Sequence, residues 1–143
     1  MGARDVLSIR GGEAAFGVGI ATEGHEIGHG FDDQGAQYDG TGTLNDWWSA
    51  DDKAAFEKKS KALIEQYNGF SPRALPGEFV NGELTVGENI GDLGGLTIAH
   101  KAYAISLGRE PSAEESQRLF MNWAYVWRTK RRKEQEQQYL TID

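Results

Sequence analysis

Residues 14–30 carry glycines at 17, 19, 24, 28 and 30 among the apolar positions Phe16, Val18, Ile20 and Ile27. Each glycine inside a helix costs about 1 kcal/mol against alanine. Such a segment is a poor helix by itself. It becomes helical only where neighbours bury it and approach its backbone closely, so it constrains the fold more than any other stretch. A second segment, "GENIGDLGGLTIAHKAYAISLG" at 87–108, repeats the pattern with glycines at 87, 91, 94 and 95. The glycines of the second helix are expected to let it approach the first closely.

The remaining signals are also helical. Ser49 reads as an N-cap with Asp51 and Asp52 in the first turn, ahead of "DDKAAFEKKSKALIEQY", where Phe56, Leu63, Ile64 and Tyr67 form one stripe. Residues 33–45 form a turn-rich loop with an Asp-Gly pair, and 68–84 hold two of the three prolines and read as an irregular connection. The second glycine-rich helix starts near Thr85 and stops at Gly108. Ser112 and Glu115 form a capping box for a last helix running through Trp123 and Trp127. Strand signals are nearly absent, so the fold class is mainly α.

Composition narrows the function. The 143 residues fit one domain. There are no cysteines, which excludes disulfides and Cys-based zinc sites. Against 15 basic residues stand 22 acidic ones, a net charge of −7 that argues against nucleic acid as a partner. No apolar run approaches the roughly 18 residues of a membrane span, and the first residues lack the apolar region of a signal peptide. A soluble chain is expected.

The chemistry sits in "GHEIGHGFDD", residues 24–33. Four helical residues turn about 400°, which puts His25 and His29 on one face at about 6 Å. Two imidazoles at that spacing can share one ion, each at about 2.0–2.1 Å. Glu26 lies about 100° around the helix, beside such an ion and not on it, where its carboxylate can take a proton from activated water. By itself this could be two surface histidines and an unrelated glutamate. The second cluster shifts the balance, because Glu88 and Asp92 stand four apart on the other glycine-rich helix. Glu88 can supply a third, oxygen ligand; Asp92 can accept the N–H of a ligating histidine and fix its tautomer.

"GHEIGHGFDDQGAQYDGTGTLNDWW" followed by "TVGENIGDLGGLTIAHKAY" resembles the neprilysin-type M13 metallopeptidases, in particular the bacterial and actinobacterial members. The likeness runs from about Glu13 to Leu140, which makes 13–143 a partial M13-type catalytic domain and leaves 1–12 as an N-terminal extension. It implies a gluzincin-type zinc metallopeptidase core, mainly α with few or no strands. It further implies one Zn2+ per chain on His25, His29 and Glu88, Glu26 as general base, and Asp92 as the partner of His25. Asp32 or Asp33 is a further candidate partner, and the likeness leaves the choice open. Peptide substrates are implied, and a bacterial origin. The family's closing helical domain, its substrate-holding strand, and the histidine and arginine that follow a segment like "YLTID" fall outside 1–143. The resemblance therefore implies a zinc endopeptidase core acting on oligopeptides, with weak hydrolysis expected; the alternative is a zinc-binding but impaired module. The face left by the missing domain is expected to favour a homo-oligomer.

The other residues read more plainly. His100 is expected to be packed or at the surface. Trp47, Trp48, Trp123 and Trp127 are expected as core or interdomain anchors. The basic run Arg128–Lys133 is a solvated helix end, and "DGTGTLND" lacks the order of a calcium loop.

Overall fold

The structure is a computed structural model that describes residues 11–142, with side chains described from residue 17. The expected extension at 1–12 lies, except for its last two residues, outside the described residues. Among the described residues five helices follow in order: α1 (Gly11–Gly28), α2 (Ala50–Asn68), α3 (Val86–Leu107), α4 (Ala113–Val126) and α5 (Lys133–Tyr139). Two 3-10 turns, His29–Phe31 and Gly35–Gln37, lie between α1 and α2. Among the described residues the β pairing is an isolated antiparallel bridge, Tyr38 with Leu44. The mainly α expectation holds.

Contacts divide the chain into two units. One contains the described residues up to Gly28 with Gly91–Thr129. Its core is Ala21, Ala99 and Trp123, with Val18, Ile20 and Leu96 packed against them. Small residues at 21 and 99 bring the helices close, and the large Trp123 fills the remaining space. Truncating such a buried tryptophan to alanine costs about 3–5 kcal/mol. The closest approach is at Gly95, where a Cβ would overlap the carbonyl oxygen of Ala21 and stand 2.9 Å from the His25 nitrogen. A Cβ on Gly24 would lie 3.0 Å from the Gly95 Cα. The helical cost of these glycines is thus offset by packing. The same is not true of Gly19 and Gly94, which face open space. Helix α4 packs on α1 and begins with the expected capping box: Ser112 accepts from the Glu115 N–H, and the Glu115 side chain accepts from the Ser112 N–H. Arg109 pairs with Glu115 at 2.8 Å; this contact, followed by the Ser112 N–H, holds the Glu115 carboxyl down at about 2.

The other unit contains His29–Ile90 and the described residues from Lys130. Ser49 caps α2 by accepting the Asp52 N–H, and Phe56, Leu63, Ile64 and Tyr67 are each half-buried, as their stripe predicts. The loop before α2 is organised by Asp39. Its Oδ1 accepts the Thr41 hydroxyl at 2.6 Å, the Thr41 N–H at 2.9 Å and the Thr43 N–H at 3.2 Å, which holds the carboxyl at about 2. This carboxylate organises its own loop. A cavity of about 630 Å³ is lined by Ala36, Trp48, Phe56, Ile64 and Val86, with charged residues around them.

Three expectations need correction. Helix α1 is already helical at Gly11–Glu13, ahead of Ala14, and ends at Gly28, so His29 opens a tighter 3-10 turn in place of continuing the helix to Gly30. Trp123 belongs to the core and Trp48 is half-buried, but Trp47 is 46% and Trp127 58% exposed. Trp47 stacks on Trp48 and donates its Nε1–H to the Tyr38 carbonyl, while Trp127 caps α4 and meets the edge of Trp123. Helix α5 was not expected. "KEQEQQY" has no apolar stripe, and its N-cap Arg132 makes no side-chain cap, so nothing in the sequence announces it.

Candidate metal centre

The last turn of α1 carries His25 and Glu26, and His29 follows at the start of the 3-10 turn. His25 is mostly buried and lies against Gly91, where a Cβ would come within 2.9 Å of its Nδ1. Its Nδ1–H donates to Asp92 Oδ1 at 2.9 Å. A carboxylate can only accept, so Nδ1 carries a proton, and in a neutral imidazole the lone pair is then the one on Nε2. Glu26, one residue on, is exposed.

His29 is held in the same way by a different device. Its Nδ1–H donates to Asp32 Oδ2 at 2.8 Å, while Asp32 Oδ1 accepts the Gln34 N–H at 2.9 Å and the Gly35 N–H at 2.7 Å. Asp32 is buried, with 5% of its surface exposed. Burial is the largest influence on its carboxyl and raises it, but the Gly35 N–H, His29 and the Gln34 N–H together outweigh it and keep the group below its ordinary value. An acceptor with three short donors stays ionised and fixed, and so fixes the imidazole. Asp33, the other residue left open by the sequence, instead places Oδ1 near Gly87. The Gln34 and Gly35 donors were not foreseen; an Asp followed three residues later by Gly was the available signal.

On α3, Glu88 lies in the first turn and Asp92 one turn further. Glu88 Oε1 stands 3.5 Å from His29 Nε2. Two donors bound at about 2.0–2.1 Å to one tetrahedral ion stand about 3.3 Å apart, so the measured separation suits a shared cation. His29 and Glu88 thus face each other within one unit, while His25, oriented by Asp92, is the third donor named by the sequence and belongs to the other. Two imidazoles and a carboxylate are a donor set that suits zinc. His100 is elsewhere in role: its Nε2 meets Ser116 Oγ at 2.9 Å and its ring stacks on Phe120. The basic run is partly stacked as well, with Arg128 over Tyr125 and Arg131 over Tyr139.

Residues 13–143 match Peptidase family M13, and the chain belongs to that family. The Mycobacterium tuberculosis zinc metalloprotease Zmp1, solved with an inhibitor, is 51% identical with a TM-score of 0.83, over 92% of this chain and 21% of that one. The neutral endopeptidase of Lactococcus lactis subsp. cremoris is 40% identical over 119 residues, 83% of this chain and 18% of its own length. Human endothelin-converting enzyme 1 is 38% identical over 136 residues, 89% of this chain and 17% of its own. The chain thus spans about a fifth of the length of these relatives.

Proposed function

We propose that this chain is the zinc-binding catalytic core of a metalloendopeptidase acting on oligopeptides, with His25, His29 and Glu88 holding one zinc ion. The observation that carries this reading is the pair of histidines with their Nδ1 atoms committed to carboxylates, one of which has Nε2 facing Glu88. Two fixed tautomers beside a third donor are more than accidental spacing provides.

When bound, zinc supplies Lewis acidity that polarises a peptide carbonyl and brings water into the range of a weak base. The rest is work for this chain's side chains. Asp92 and Asp32 keep the imidazoles oriented and protonated at Nδ1. Glu26, beside His25 and open to solvent, accepts the proton of the attacking water and returns it to the leaving amine. Metal, base and orienting groups therefore have separate owners.

Hydrolysis of a fluorogenic peptide by this chain is expected to disappear on chelation and to return with stoichiometric zinc. Zinc binding without hydrolysis at any loading would favour the alternative, a zinc-binding module. Hydrolysis that survives complete metal removal would overturn the metallopeptidase reading.

A further inference from the structure

We propose that Gly87 is a positioning residue for the metal centre: its lack of a side chain lets the first turn of α3 lie against Asp32 without displacing that carboxylate from His29. The inference rests on the zinc reading above. A Cβ at position 87 would stand 3.2 Å from Asp32 Oδ2 and 3.1 Å from Asp33 Oδ1. Asp32 Oδ2 is the atom that accepts the His29 Nδ1–H at 2.8 Å. The residue after Gly87 is Glu88, 3.5 Å from the other nitrogen of the same ring. One glycine thus sets the distance between the group that orients His29 and the carboxylate that shares its ion.

Neither side can give way freely. Asp32 is buried and its second oxygen is tied to the Gln34 and Gly35 N–H groups, so the carboxylate cannot swing aside without breaking them. The start of α3 is pinned too. Asn81 Oδ1 accepts the Glu83 and Leu84 N–H groups, the Thr85 N–H and hydroxyl donate to the Asn81 carbonyl, and Asn89 Nδ2 donates to Thr85 Oγ1 at 2.9 Å. An added methyl must therefore loosen the Asp32–His29 bond or move Glu88. Gly87 has no positive φ, so alanine fits its backbone and is the better helix former. Ordinary packing damage lowers stability and affinity together. Here the two should separate.

The experiment measures zinc affinity by competition with a chromophoric chelator for the parent, Gly87→Ala, Asp32→Ala and the double variant. Metal-free unfolding and the His29 ring 15N shifts are recorded for the same proteins. Gly87→Ala is expected to bind zinc about tenfold more weakly, at the low end for a group that orients a ligand, with metal-free stability not reduced. In the Asp32→Ala background the same change should have little further effect, because the two act through one contact. Unchanged affinity, an equal loss in both backgrounds, or a matching loss of metal-free stability would overturn the proposal. If the parent binds no zinc, the metal reading fails by itself. The 15N shifts still decide this inference, because Gly87→Ala should perturb the His29 Nδ1–H bond in the metal-free chain and an unperturbed ring would refute it.

Discussion

Glu26→Gln is expected to lower peptide hydrolysis about 10²–10⁴-fold, the usual contribution of a general base, while zinc content and helical signal stay unchanged. The amide matches the carboxylate in size but cannot accept the proton of the attacking water. Glu26 is exposed on the last turn of α1, so its replacement leaves the core of Ala21, Ala99 and Trp123 undisturbed. The comparison is kcat on a fluorogenic peptide at equal zinc occupancy. Turnover equal to that of the parent removes Glu26 from the role of base. A loss of activity that follows a loss of zinc would instead make it part of the metal's support.

Glu88→Ala has the second large effect, on the metal. Its side chain is 51% exposed, so removal should cost little folding stability, and any loss of zinc then reports ligation. With one of three protein donors gone, most bound zinc should be lost on dialysis against a weak chelator. Asp92→Ala should do less. It leaves the donors in place but frees the His25 ring, and loss of such an orienting carboxylate typically weakens affinity by about 10–100-fold. Metal analysis of the two variants side by side checks the order. If Asp92→Ala loses more zinc than Glu88→Ala, their roles are exchanged.

Much of this was legible in residues. The caps at Ser49 and Ser112 and the stop at Gly108 depend on local backbone chemistry, and each is found in its expected place. The spacing of Glu88 and Asp92 on one helix was also readable, because helical geometry converts a count of four into a shared face. Gly24 and Gly95 meet another backbone while Gly19 and Gly94 face open space; sequence gives the number of small residues but not which of them meets another backbone. The choice between Asp32 and Asp33 was closed to sequence for a similar reason. It turns on the tight turn that brings the Gln34 and Gly35 N–H groups onto Asp32, a feature of tertiary geometry. Helix α5 had neither cap nor stripe, and so no signal to read.

Zinc-edge X-ray absorption on the zinc-loaded chain tests the central claim most directly. One zinc per chain is predicted, with two imidazole nitrogens at about 2.0–2.1 Å and one carboxylate oxygen at about 2.0–2.2 Å. A shell with no imidazole scattering, or with a single imidazole, would contradict a centre built on His25, His29 and Glu88.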